Sequence, residues 1–133
     1  MVIAGDGSLA ATGHHDGERG RMELERFELV LLRRPPHPTA YDEAELERIQ
    51  SEHLAYHTAL RQAGQVVTNG PVSEQDDDAL RGLTIYRTGS LDEARRLAAA
   101  DPAVRAGRLV LDAMQWYCPV GTMVERGTAV SLT

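Results

Sequence analysis

Apolar residues recur along this chain at two spacings, and the spacings predict where strands and helices lie. Phe27-Glu28-Leu29-Val30-Leu31-Leu32-Arg33 is strand-like and stops at Pro35-Pro36-His37-Pro38, which cannot continue a ladder. Asp42 with Glu45 makes a capping-box-like helix start, and Gly64 supplies the stop. Between them Leu46, Ile49, His53, His57 and Leu60 recur at i, i+3, i+7, i+11 and i+14, which is one helical face, so both histidines point inward. Gln65-Val66-Val67-Thr68 reads as a second strand ending at the turn signal Asn69-Gly70-Pro71. An acidic loop, Ser73 to Ala79, leads to a third strand, Leu83-Thr84-Ile85-Tyr86-Arg87. Ser90 with Glu93 caps a second helix whose inner face is Leu91, Ala94, Leu97 and Ala98. Asp101-Pro102 ends it, because proline biases its predecessor away from helical angles. After a short turn from Pro102 to Gly107, a fourth strand runs from Leu109 to Tyr117 and into Cys118-Pro119.

The order β-α-β-β-α-β predicts a ferredoxin-like α+β fold, an antiparallel sheet with both helices on one face. The domain is expected over residues 25–120, after a polar leader at 1–24 without apolar periodicity and before a tail at 121–133 that can add an edge strand. The adjacent pair His14-His15 falls in that leader and is expected to carry no metal. Strand one is apolar on both faces, and so is strand four, with Leu109 and Leu111 opposite Val110, Met114 and Trp116. Two helices cover only one face, so the other is expected to meet a second copy of the chain, sheet to sheet.

Charge and composition narrow the function. Fourteen basic against twenty acidic residues leave −6, every basic residue is arginine, and no basic stripe forms, which argues against nucleic acid. One cysteine, Cys118, excludes an internal disulfide and multi-cysteine metal sites. The longest apolar run, Leu29 to Leu32, is far short of a membrane span, and Met1-Val2-Ile3-Ala4 turns polar at once, so a cytoplasmic protein is expected. Phosphate loops of the G-x-G-x-x-G and G-x-x-x-x-G-K-[ST] types and the G-x-S-x-G elbow are missing from the sequence. No cofactor is expected.

His53, mid-helix on the buried stripe, must find a hydrogen-bond partner. The bland reading is a core histidine satisfied by a carbonyl or by Asp101; the functional one is a general acid or base. In this topology the fourth strand returns beside the first, so Asp101 can approach helix one. There it would accept the imidazole N–H, fix the tautomer and stabilise the cation, or else merely end a helix before Pro102. His57, four residues on, has a spacing that can bind metal, but Leu54 stands where the protease motif needs glutamate, so a supporting or core role is expected. Cys118 is read as packing, and Asp76-Asp77-Asp78 as a solvated loop.

A series of short motifs then resembles the YCII-related family. These are Arg33-Arg34 before the proline-rich turn, Glu52-His53-Leu54-Ala55-Tyr56, Gln62-Ala63-Gly64, Asn69-Gly70-Pro71, Ser90-Leu91-Asp92-Glu93-Ala94, and Ala100-Asp101-Pro102-Ala103-Val104-Arg105-Ala106-Gly107. The resemblance covers about residues 26–119. It implies a dimeric α/β barrel of ferredoxin-like subunits, with a histidine and an aspartate thought to be catalytic at His53 and Asp101. It also brings a known activity of the family, dehydrochlorination of a chlorinated hydroxyhydroquinone.

Two classes of function are therefore expected. One is a small cofactor-independent lyase or isomerase acting on a small cyclic or aromatic molecule. His53 would move the proton, Asp101 would orient it, Arg33 would hold an anionic oxygen, and Pro71 and Trp116 would lie against the substrate. The other is a non-catalytic binding or accessory module in which His53 and Asp101 form a buried polar pair. A free second nitrogen on His53, facing a cavity, separates the two. A cofactorless oxygenase on the same barrel is a third possibility, marked by oxygen uptake with an electron-rich phenol.

Overall fold

The computed structural model describes residues 2–3, 9–10, 22–124 and 127–131. Most of the expected leader, with His14 and His15, lies outside them. Strand β1 (Leu24–Arg33) is followed by helix α1 (Glu43–Gln62), strands β2 (Val66–Pro71) and β3 (Leu80–Tyr86), helix α2 (Leu91–Ala99), the single turn α3 (Pro102–Arg105) and strand β4 (Val110–Pro119). The sheet order is β2-β3-β1-β4, with β3 antiparallel to both β1 and β2. This is the ferredoxin-like α+β arrangement.

Both long helices begin where side-chain oxygens meet orphan backbone N–H groups. Asp42 accepts from the Glu45 N–H at 2.8 Å and Ser90 from the Glu93 N–H at 3.2 Å. On the sheet face toward the helices, Val30 and Leu32 of β1 and Tyr86 of β3 pack with Leu60 of α1 and with Ala94, Leu97 and Ala98 of α2. Leu29 stands opposite Ile85 and Leu31 opposite Leu83, so strand alternation puts these four on the other face.

The second strand differs from the sequence expectation. It does not turn at Asn69-Gly70-Pro71 but carries all three residues, opposite Thr84, Leu83 and Gly82. The reason is its place at the edge of the sheet. The Val72 N–H donates inward to the Arg81 carbonyl at 3.1 Å. Its neighbour Pro71 therefore faces outward, where a missing N–H breaks no ladder bond.

After α3, Gly107 adopts a positive φ of 77° and lies against Thr39 in the loop after β1. The Thr39 N–H donates to the Gly107 carbonyl at 3.2 Å, the Tyr41 hydroxyl donates to the Ala106 carbonyl at 2.8 Å, and Arg108 donates to the Thr39 carbonyl at 2.9 Å. This strap fixes the end of α3 beside the start of α1.

The chain divides into two compact units, Phe27–Trp116 and the two ends, Met1–Arg26 with Tyr117–Thr133. In the second unit Val2–Ile3 pairs antiparallel with Leu9–Ala10, and the Gly121 N–H donates to the Glu25 carboxylate at 2.7 Å. A 3-10 turn covers Thr122–Val124, and the described residues 127–131 form no strand. Among the described residues no helix is long and apolar enough to cross a membrane.

Candidate active site

Asp101 sits at the junction of α2 and α3 with 1% of its side chain exposed. Position and chemistry coincide there: Pro102 occupies the first turn of α3, and the Asp101 side chain caps that helix by accepting the Ala103 N–H at 2.9 Å. The same carboxylate meets α1. His53 Nδ1 lies 2.9 and 2.8 Å from its two oxygens, and His57 Nε2 lies 2.8 Å from Oδ2. The helical period places both histidines on the face turned toward α3.

Burial pushes the Asp101 carboxyl up, but the hydrogen bonds from His53, His57 and the Ala103 N–H outweigh it and hold the group at about 2. Asp101 is therefore a carboxylate at neutral pH, and a carboxylate only accepts. Both imidazoles must donate to it, so neutral His53 carries its proton on Nδ1 and neutral His57 on Nε2. That leaves a lone pair on His53 Nε2. His53 is 15% exposed and lines a cavity of about 430 Å³ between α1 and the sheet, and no partner for Nε2 occurs among the described residues. His57 is 2% exposed, stands edge-on to His53 at 4.7 Å, and has a bare Nδ1 without a partner among the described residues.

Two phenols complete the surroundings. Burial, then the charge of Asp101, pushes the Tyr56 hydroxyl up, and it donates to the Leu97 carbonyl at 2.7 Å. Burial likewise pushes Tyr86 up. Both stay neutral and leave Asp101 as the charge facing the imidazoles. His53, His57 and Asp101 also present ligand atoms within 4.8 Å of one another, a donor set suited to a divalent metal. A metal ion there would have to displace the two imidazole protons from Asp101.

The other residues expected from sequence separate. Pro71 lines the cavity. Arg33 does not; its guanidinium pairs with Asp77. Its neighbour Arg34 is on the wall instead. Alternation through Val30 and Leu32 already puts position 34, not 33, on the helix side. Trp116 packs against Phe27 with ring centroids 6.3 Å apart and is not among the lining residues. Its parity with Val110 and Met114 carries the same signal. Thr84, Arg81 and Arg108, which also line the cavity, have no motif to mark them.

Among solved structures, the chain is similar to 5-chloro-2-hydroxyhydroquinone dehydrochlorinase (TftG) from Burkholderia phenoliruptrix AC1100, in complex with 2,5-dihydroxybenzoquinone. Identity is 23%, covering 68% of this chain and 92% of that one, with a TM-score of 0.47. No curated protein matches. Residues 29–116, more than half of the chain and the segment that carries His53, His57 and Asp101, match the YCII-related domain, and the chain belongs to that family.

Proposed function

We propose that the protein is a small enzyme that moves a proton on a small cyclic or aromatic molecule, a lyase- or isomerase-type reaction run without a cofactor. The observation that carries the reading is the placing of His53: Nδ1 is held by Asp101, and the residue, 15% exposed, lines the cavity. In the first step the Nε2 lone pair takes a proton from substrate. Asp101 offsets the imidazolium charge that forms, and the same nitrogen then returns the proton to the product or to a leaving group. Asp101 is a positioning residue: it sets the tautomer and the ring angle. His57 supports the carboxylate from the other side. Without either function the same cavity would be a binding module.

The test is exchange and turnover in D₂O, followed by NMR over a panel of hydroxylated and halogenated ring compounds. Wild type is expected to exchange or convert a member of the panel, with His53→Gln slower by about 10²–10⁴-fold. Asp101→Asn should slow the same step. Turnover that survives His53→Gln refutes the assignment, and binding without turnover anywhere in the panel supports the module.

The reading includes a homodimer in the cytoplasm. Leu29, Leu31 and Leu83 lie on the sheet face away from the helices, and a second copy packed there would form the barrel. Light scattering during size exclusion is expected to give twice the 14.6 kDa chain mass. Leu31→Glu should halve it.

A further inference from the structure

We infer that the cavity beside His53 selects a ring compound bearing a carboxylate, which Arg34, Arg81 and Arg108 hold. The inference rests on the reading of this cavity as a substrate site, but not on the proton transfer.

The protein is acidic, at −6 overall. The cavity wall is the opposite: among the described residues it carries three arginines and no aspartate or glutamate. These arginines come from separate segments, Arg34 from just after β1, Arg81 from β3 and Arg108 from the strap after α3. They differ in their partners from four arginines elsewhere, while Arg61 and Arg87 also meet only neutral oxygens. Arg33, Arg48, Arg95 and Arg96 each pair with a carboxylate. The cavity arginines have no such partner among the described residues. Arg108 donates to the Thr39 carbonyl and Arg81 to the Asp78 carbonyl at 3.4 Å, both neutral acceptors. Cationic groups brought together without counter-charge leave an anion-shaped demand, and a guanidinium meets a carboxylate with parallel hydrogen bonds.

A second observation points into the same space. Thr84 is 1% exposed, lines the cavity, and has no hydrogen-bond partner for its hydroxyl among the described residues. A buried hydroxyl without a partner is uncommon, and a bound ligand oxygen would supply one. The rest of the wall is apolar, including Leu32, Ile49, Leu54 and Leu109, and about 430 Å³ accommodates one ring system. Apolar walls thus take the ring, arginines the carboxylate, and Thr84 a further polar atom.

Binding of benzoate and of its neutral analogue benzamide, followed by titration calorimetry and by histidine ring NMR shifts, tests this. Benzoate is expected to bind at least about tenfold more tightly than benzamide, and to weaken as salt rises. Arg34→Gln, Arg81→Gln and Arg108→Gln should each cost benzoate roughly tenfold while leaving benzamide unchanged. Arg48→Gln, whose guanidinium pairs with Glu52 on the outer face of α1, should leave both ligands unchanged. His53→Gln separates the two readings, since it should slow turnover by about 10²–10⁴-fold and spare benzoate binding. Equal binding of the two ligands, no binding of benzoate, or benzoate binding indifferent to all three arginine variants overturns the inference. None of those outcomes touches a His53-dependent reaction on a neutral ring.

Discussion

Replacing Asp101 by asparagine removes the charge at the centre of the site and keeps its shape. Asparagine is as good an N-cap as aspartate, so α3 should still form. What disappears is a carboxyl held at about 2 in the fold against an ordinary 3.8. A group whose folded value is depressed stabilises the fold above its unfolded value, and that stability is lost as the pH falls through the folded value. For Asp101 the contribution is complete above about pH 5 and drains away toward pH 2, and the two values correspond to roughly 2 kcal/mol in all. The carboxylate is 1% exposed, so salt does little to screen it. Urea unfolding of wild type and Asp101→Asn, side by side, reads the difference while other carboxylates cancel. The stability gap should narrow by about 1.5 kcal/mol between about pH 5 and pH 2.5, a midpoint difference smaller by roughly 0.5–1.5 M urea. A gap of constant size across that range would refute the picture of an ionised Asp101 held by two imidazoles.

Three further outcomes follow from the same geometry. Gly107→Ala should cost about 1–3 kcal/mol in thermal unfolding, because its φ is 77° and a Cβ would run into Thr39 Oγ1; Gly89→Ala, with a φ of 82° and open space around it, should cost only the backbone part. Ser90→Ala should lose about 1 kcal/mol by removing the cap of α2, and Ser90→Asn should restore it in chemical denaturation. In ¹⁵N NMR at alkaline pH, His57 should carry its proton on Nε2 and a bare Nδ1, the reverse of His53; the same tautomer at both positions would contradict the bonding to Asp101.

What was legible in the sequence follows the strength of the local signal. The caps at Asp42 and Ser90 declare themselves through a carboxylate or hydroxyl three residues before a glutamate, and both bonds form. The meeting of His53 with Asp101 is legible because helix period and strand order together leave few places for either side chain. That His57 shares the same carboxylate is not: the period puts it inward but says nothing of which atom it reaches. Asn69-Gly70-Pro71 misleads because turn propensity ignores position in a sheet, and an outer strand tolerates proline. Arg33 misleads although strand alternation from Val30 and Leu32 puts position 34 on the helix side; Arg33 pairs with Asp77 instead. Arg81 and Arg108 gain meaning only once separate segments converge, which no local spacing encodes.

Proline ends both outer strands of the sheet, Pro71 on β2 and Pro119 on β4. An exposed strand edge is a template, and fibrils grow by recruiting further strands onto it. Each proline interrupts that template with a residue that has no N–H to offer. The rim of this sheet is thus a poor seed for strand-by-strand growth.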